Sequence, residues 1–554
     1  MKCGTTILYD FLSAHSKVTG AAGKEVHYFS LYFDKGVEWY LGHFDLHHDS
    51  KYLLDSSPTY FDMALEIPTA ERIREFCPHA KIIILIRNPV ERAVSHFAHL
   101  QRINEIGELA DLSAEEFLAR RWPEHRDHRA LSRYHKLVTD FSRYSEKISR
   151  YAEVFGPENV MVIGNEDLRA DGNQVLRCVF DFLELEPEEG VDYSEQKYLG
   201  RNSGDALSVE LQIELWREFG SDYYASCRQV AVQRPLPLAA SSTRFNEPAG
   251  AIIGDVAYGP GGWLYLVGGT NDPLRMYLDE PQRRSAASAW LALVRERRDR
   301  LAAMGIAFFQ CMIPEKLSIL GDNLGWPLDF SKSFGSQFAQ TAPPDLGPCI
   351  VNLFDFFRNS GYREDLYLKT DSHWSHLGAF SAYQMLCCQL GIQARADLLR
   401  RGFTEGEVLF DLGAKLPDRP KERARFYAFR REAEIVNEHG LVAYKRRTGR
   451  LNDIGLHVGS FIHFRNEGAT VAKKAVLFGD SFSEYRDHLL TGLLAETFSE
   501  LIFVWSASID YEVVRRHAPD VVICAITERF MRSVPDDRFD LDAHTRKVLE
   551  TAAP

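Results

Sequence analysis

Short, continuous apolar runs alternate with longer stretches whose apolar residues recur at helical spacing. Ile82-Ile83-Ile84-Leu85-Ile86 and Val160-Met161-Val162-Ile163 are runs of the first kind in the first part of the chain. Such runs mark strands buried on both faces of a parallel sheet. Ile7, Leu8, Phe11 and Leu12 recur as one face of a helix. The same alternation returns later, with a helix over Ala289 to Met304 and strands at Ile306–Phe309, Ala475–Phe478 and Val521–Ile526. A further helix is expected from Glu484 to Leu494. Two α/β domains follow from this pattern, each a parallel sheet covered by helices. The periodicity fails between about residues 229 and 250, where Pro235, Pro237, Ala239, Ala240, Ser241, Ser242 and Pro248 read as a linker. The expected domains are therefore residues 1–228 and 251–540. Arg400 to Arg450 is dense in arginine and lysine without an apolar face, and reads as an insertion or lid with a solvated surface.

Bulk properties fit this division. A chain of 554 residues exceeds one ordinary core, and 45% hydrophobic with 26% charged residues is a globular composition. A net charge of -13 argues against nucleic acid as a partner. The nine cysteines include no CxxC pair, which favours buried free thiols over a disulfide framework. No apolar run approaches the ~18 residues of a membrane span, and no signal peptide is evident at the start. The chain as written is expected in the cytoplasm, or in the periplasm if its true start lies upstream.

Lys2-Cys3-Gly4-Thr5-Thr6 places a glycine turn at the start of a helix, where backbone N–H groups and the positive dipole end favour an anion. Taken alone, Thr5 and Thr6 read as helix caps. Five segments then occur in a telling order: this loop, Lys24-Glu25-Val26-His27-Tyr28-Phe29, Asp55-Ser56-Ser57-Pro58-Thr59-Tyr60, Ile83 to Ser95 with Arg87-Asn88-Pro89 and Arg92, and Phe155-Gly156-Pro157-Glu158-Asn159-Val160. Over residues 1–205 the chain resembles the carbohydrate-directed branch of the sulfotransferase family, whose fold is a P-loop-like parallel sheet. The resemblance implies the sulfuryl donor PAPS. It implies that Lys2, Cys3, Gly4, Thr5 and Thr6 cradle its 5′-phosphosulfate, that Arg87 and Ser95 bind its 3′-phosphate, that Glu25 is the general base, and that Lys2 stabilises charge on the bridging oxygen. From the residues alone, Glu25 reads as an exposed loop carboxylate. Family members place a buried strand directly before the phosphate loop. This chain begins with the loop already under way, so the centre of the sheet is expected to be open, with a start upstream as the preferred explanation. A rival reading of this half is a metal site at His43, Asp45, His47, His48 and Asp49, though the spacing matches no known ligand set.

Gly479-Asp480-Ser481 follows one strand candidate and precedes the helix expected from Glu484, a strand–turn–helix setting that exposes a serine nucleophile. Asp371 and His373 lie two residues apart, close enough for the carboxylate to fix the imidazole tautomer. Each motif alone is common. Together with Gly261-Gly262-Trp263, Pro314-Glu315-Lys316 and Glu528-Arg529, and with the histidine ahead of the serine in the chain, they resemble the SGNH-hydrolase-like domain of alginate O-acetylation proteins over residues 254–533. That resemblance implies an SGNH/flavodoxin-like α/β domain with a Ser481–His373–Asp371 triad that passes an acyl group to a sugar hydroxyl. It gives Glu528-Arg529 no role beyond an ion pair. Metal ligation by Asp371, His373 and His376 would leave Ser481 unexplained, and a water acceptor would make the domain an esterase.

The combined expectation is a bifunctional enzyme acting on a carbohydrate acceptor, sulfating with PAPS and O-acylating through Ser481. The acyl donor is acetyl-CoA or an acyl-carrying membrane partner; PAPS is cytosolic, whereas alginate-type acetylation is periplasmic. The alternative is that only the SGNH-like domain is active, as acetyltransferase or esterase, with the first domain a binding module.

Overall fold

The computed structural model describes residues 2–46, 49–63, 65–103, 107–170, 172–187, 207–233, 249–399, 402–429, 431–438, 440–450 and 454–552. The chain divides into two units, Met1–Ile253 with Tyr258–Gly261, and Gly254–Ala257 with Gly262–Pro554.

In the first unit, helix α1 (Thr5–Ser13) leads into strand β1 (Val18–Gly20), which pairs in parallel with β2 (Tyr52–Leu54). Strand β3 (Ile82–Ile86) pairs in parallel with β4 (Val160–Gly164). The expected parallel strands are present, but among the described residues they form two separate pairs rather than one ladder. A cavity of about 620 Å³ is lined by Leu8 and Leu12 of α1, Tyr52 and Leu54 of β2, and Ile82 and Ile84 of β3. Leu8 and Leu12 also belong to a core cluster with Leu85, Ile163, Leu168 and Val179. Helix α2 (Pro89–Arg102) starts with a proline in its first turn, and the Asn88 side chain caps the Val90 and Glu91 amides. Helix α3 runs Val209–Gln233, past the point where the linker was expected to begin. The segment 234–248 lies outside the described residues.

The second unit is built on helix α4 (Glu280–Ala302), strands β5 (Ala307–Ile313) and β6 (Ile350–Asn352), helix α5 (His376–Gln389), a hairpin of β7 (Phe403–Val408) and β8 (Glu422–Tyr427), then β9 (Glu434–Glu438), β10 (Phe461–Arg465), β11 (Val471–Gly479), helix α6 (Leu490–Ala495), β12 (Phe498–Trp505) and β13 (Val521–Thr527). Seven of these strands form one sheet in the order β9-β10-β12-β11-β13-β5-β6. From β12 to β6 the pairing is parallel, while β10 and β9 add an antiparallel edge. Every residue of β13 is buried, as its unbroken apolar run requires. Trp290, Val294 and Leu301 of α4 pack onto Phe308, Val476 and Val522, and the Trp290 indole donates to the Met531 carbonyl at 2.8 Å. Removing a side chain as large as this tryptophan costs roughly 3–5 kcal/mol.

Two expectations are corrected in this unit. The helix expected from Glu484 begins only at Leu490. The chain doubles back first: the Thr491 hydroxyl donates to the Ser483 carbonyl, and a Cβ on Gly492 would meet the Asp487 carbonyl oxygen at 2.1 Å. The basic stretch 400–450 is also more than a solvated surface. It contains the β7–β8 hairpin, antiparallel over six residue pairs, and a turn of helix at Asp411–Ala414 that buries Leu412 and Gly413.

All nine cysteines are free, and seven of them are buried. Among the described residues, no helix is long and apolar enough to cross a membrane.

Candidate functional site

Ser481 leaves the carboxyl end of β11, a central strand, where open α/β sheets place their ligands. The His373 Nε2 lies 2.9 Å from the Ser481 hydroxyl, and its Nδ1 lies 2.8 Å from Asp371 Oδ1. Asp371 Oδ1 also accepts the His373 backbone amide at 2.9 Å, so acid and base are locked within one turn of chain. Burial alone would depress the imidazole pKa. The Asp371 hydrogen bond and charge, with Asp411 nearby, outweigh that and raise it above the ordinary histidine value. In the same pair Asp371 is held well below the usual carboxylate range, against the effect of its burial, because His373 hydrogen-bonds its charged form. The Phe482 ring packs against the imidazole, with centroids 4.8 Å apart and the planes tilted by 46°.

The acid inside the Gly479-Asp480-Ser481 motif has a different task. Asp480 is buried and accepts the Thr527 amide at 2.7 Å and the Phe482 amide at 3.0 Å, binding the serine turn to the end of β13. With the next helix delayed to α6, Ser481 does not cap a helix. No backbone acceptor among the described residues engages its own N–H.

The ligating atoms of Asp371, His373 and Asp411 lie within 4.8 Å of one another. Their oxygens are engaged in hydrogen bonds: Asp371 with His373, and Asp411 with the Ser372 hydroxyl at 2.6 Å and the Ser372 and Leu412 amides. His376 takes no part, since its Nδ1 lies 3.3 Å from the Tyr427 amide and its ring stacks on His488.

In the first unit Gly4 adopts φ 92°, and a Cβ there would meet the Asn165 amide nitrogen at 2.6 Å. Asn165 donates to the Cys3 carbonyl at 3.0 Å, which pins the loop to the end of β4. Lys24 Nζ joins the loop to the Glu25 segment, donating to Thr6 Oγ1 at 2.9 Å and to Glu25 Oε1 at 3.3 Å. The Asp55–Tyr60 segment holds that region in shape: Asp55 accepts from Ser57 and Tyr60 at 2.6 Å each, and Ser57 Oγ accepts the His27 amide at 2.8 Å. The Glu25 carboxyl is lowered, first by its interaction with the His27 ring and then by Lys24, so it stays ionised. Lys2 is lowered by burial, by Arg102 and by Lys24, with only Glu25 opposing. This surplus of positive charge is what an anionic donor would neutralise.

Arg87 is placed at the end of β3, where its carbonyl accepts the Tyr144 hydroxyl and its guanidinium pairs with Glu91 at 2.7 Å. Ser95 lies one turn further along α2, partly exposed. Arg92 is fully buried and donates to the Val138 carbonyl and Ser142 hydroxyl, so it belongs to the core of this unit.

The sulfotransferase domain family matches residues 1–208, and the SGNH hydrolase-like domain of the acetyltransferase AlgX matches residues 256–408. The chain carries a sulfotransferase domain and an AlgX-type SGNH-like domain. The second match includes Asp371 and His373 and stops before Ser481. Within the sulfotransferase domain, the chain is 38% identical over 97 residues to heparan sulfate glucosamine 3-O-sulfotransferase 6 of Mus musculus, covering 18% of this chain and 27% of that protein. It is 29% identical over 193 residues to the bifunctional heparan sulfate N-deacetylase/N-sulfotransferase 1 of Caenorhabditis elegans, covering 33% of this chain and 21% of that protein. The chain thus spans about a quarter of the length of these curated relatives. The solved O-acetyltransferase domain of Pseudomonas putida AlgJ aligns with a TM-score of 0.31 at 16% identity, over 53% of this chain and 99% of that domain.

Of the residues singled out from sequence, the SGNH-like domain brings Ser481, His373 and Asp371 into one hydrogen-bonded line. The sulfotransferase domain gathers Thr6 and Glu25 through Lys24, with Lys2 close enough to feel both Glu25 and Arg102. Among the described residues no hydrogen bond links Arg87 or Ser95 to the loop. Of the rival metal set, His47 and His48 lie outside the described residues, and His43 instead bonds the Trp39 carbonyl at 2.8 Å. Sequence reasoning missed Lys24 as the bridge, and missed Asp411, whose only signal was an acidic residue in a basic stretch.

Proposed function

We propose that the chain is a bifunctional glycan-modifying enzyme: PAPS-dependent sulfuryl transfer in the sulfotransferase domain and serine-dependent O-acyl transfer, with acetyl the favoured group, in the SGNH-like domain. The Ser481–His373–Asp371 line carries the second activity. Ser481 Oγ attacks the donor carbonyl while His373 Nε2 takes its proton. The N–H of Ser481 faces the developing oxyanion, and the imidazolium returns the proton to the leaving group. A sugar hydroxyl then gives its proton to His373, attacks the acyl-serine and leaves as the ester, with the serine hydroxyl restored. Acetyl-CoA or an acyl-carrying membrane partner fits as donor.

For the first activity the cation-rich loop fits PAPS, which supplies the sulfuryl group. Lys2, Cys3, Gly4, Thr5 and Thr6 hold its 5′ end, and Arg87 and Ser95 its 3′-phosphate. Glu25, ionised and beside Lys24, takes the proton of the acceptor hydroxyl, and Lys2 balances negative charge on the departing phosphate. The relatives named for activity on heparan sulfate support a carbohydrate acceptor.

The alternative reading is that the sulfotransferase domain only binds glycan and Ser481 carries the activity alone. One experiment separates them. The whole chain is incubated with PAPS, an acyl donor and an oligosaccharide, and products are read by mass. Sulfated product lost in Glu25→Gln and acylated product lost in Ser481→Ala support both activities; acylation without sulfation or PAP binding leaves the second reading. Free acid without acylated sugar makes the SGNH-like domain an esterase.

A further inference from the structure

The segment Leu368–His373, which carries the acid and base of the triad, contains no helix or strand, and charged side chains grip it from several sides. Glu422 accepts the Lys369 amide at 2.9 Å and the Thr370 amide at 2.8 Å. Asp411 accepts the Ser372 amide at 2.7 Å and hydroxyl at 2.6 Å. Arg529 donates to the Ser372 carbonyl at 2.9 Å and is itself paired with Glu315. Glu528 does not pair with Arg529; it accepts the Glu315 amide at 2.7 Å and the Gly335 amide at 2.6 Å. The most economical grip comes from Lys316, just beyond β5. Its ammonium is buried and donates to three carbonyls, those of Leu368 at 2.8 Å, Lys369 at 3.0 Å and Asp371 at 2.6 Å.

We propose that Lys316 is a positioning residue for His373: its ammonium draws the 368–371 carbonyls together so that the Asp371–His373 pair faces Ser481. The proposal rests on the triad reading above. Three N–H donors meet three acceptors, a match that only the charged amine provides. A neutral amine has two N–H groups and a lone pair, so one carbonyl would lose its donor. The charge also offsets the carboxylates around it, since Asp371, Asp411 and Glu422 face Lys316 and Arg529 is the opposing cation. Burial brings the ammonium down to about 8, against those carboxylates. The facing groups are carboxylates, a guanidinium and the Tyr265 ring at 5.6 Å; the first two types ionise far from 8, and burial pushes the Tyr265 hydroxyl up above its ordinary value of 10. The 316 ammonium is therefore the group whose ionisation changes the loop in that range, and a loop displaced by about 1 Å costs on the order of 100-fold in rate.

The test uses the whole chain and a fluorophosphonate probe, with the rate of covalent labelling at Ser481 followed by intact mass from pH 6 to 10 and Ser481→Ala as the blank. The expected wild-type profile rises as His373 loses its proton and falls above about pH 8 as Lys316 does. Lys316→Arg, which keeps its charge, should label without the fall. Lys316→Met should label on the order of 100-fold more slowly throughout. Wild-type rates in Lys316→Met, or a wild-type profile that stays flat to pH 10, overturn the proposal. If Lys316→Met does not fold by circular dichroism, the wild-type and Lys316→Arg profiles decide alone. A wild type that never labels removes the triad reading and the proposal with it, whereas normal labelling in Lys316→Met removes the proposal only.

Discussion

The Asp480 carboxylate accepts the Thr527 amide at 2.7 Å, tying the turn that presents Ser481 to the end of the adjacent strand β13. The acid next to Ser481 is thus a structural clamp, and the acid that bonds the His373 imidazole comes from a loop over one hundred residues earlier in the chain.

Replacing Asp480 with alanine leaves two buried amides, Thr527 and Phe482, without acceptors. Each such loss costs about 1–3 kcal/mol. Denaturant unfolding should show a lower midpoint for Asp480→Ala, with Asp480→Asn in between because one oxygen remains. Unchanged midpoints in both variants would mean that the clamp is dispensable.

Under the proposed triad, the raised His373 pKa would set the pH dependence of reaction at Ser481. The base must be neutral to take the serine proton, so ester hydrolysis should switch on with a midpoint above the ordinary histidine value of 6.5. Stability runs the other way. The raised folded pKa makes the His373⁺–Asp371⁻ contribution fully present below the unfolded histidine value, and lost as pH rises through the folded one. Asp411→Asn removes one of the charges that raise His373, so the activity midpoint should move to lower pH. Kinetics with p-nitrophenyl acetate from pH 5 to 8 measure it, and an unmoved midpoint would show that Asp411 does not act on the imidazole. Asp371→Asn removes the tautomer lock and should cost roughly 10⁴-fold in kcat.

Gly4 meets two demands that no other residue satisfies together. Its φ of 92° disfavours any side chain, and a Cβ would collide with Asn165. The left-handed conformation alone costs an alanine about 1–2 kcal/mol. Gly4→Ala should therefore weaken or abolish binding of the product nucleotide PAP, measured by calorimetry on the whole chain. Wild-type affinity would show that the loop does not hold the nucleotide.

Strand runs such as Val521–Ile526 were legible because a strand buried on both faces leaves no polar position to confuse the pattern. Ser481, His373 and Asp371 were legible through motif and order. The helix after Ser481 was misplaced because Glu484–Leu489 has helical composition, while the turn it actually makes is fixed by Ser483, Thr491 and the close approach of Asp487 to Gly492. Lys316 and Arg529 stood in segments marked by the sequence, but the role of the grips on the triad loop was not legible, for a related reason. Lys316, Asp411, Glu422 and Arg529 come from four separate segments, and only the packing of the sheet brings them to one loop. Arg92 shows the converse. It sits in the motif beside Arg87, yet its burial against Val138 and Ser142 makes it part of the core.

Arg87 offers the sharpest test of the nucleotide site. Its guanidinium, reaching from the end of β3, is paired with Glu91 in the first turn of α2; the Arg87 side chain is 14% exposed and that of Glu91 50%. A pair with its carboxylate half-exposed is worth on the order of 1 kcal/mol or less, so a phosphate dianion can displace the carboxylate at small cost. Arg87→Ala should lose at least tenfold in PAP affinity, because a charge-assisted bond to phosphate contributes about 1.5–3 kcal/mol. Glu91→Gln should keep the affinity or tighten it by about twofold, since it removes only the competing carboxylate. Calorimetry on the two variants reads opposite signs if Arg87 holds the 3′-phosphate. Equal affinity in Arg87→Ala and wild type would place the phosphate elsewhere and leave Arg87 with only its Glu91 partner.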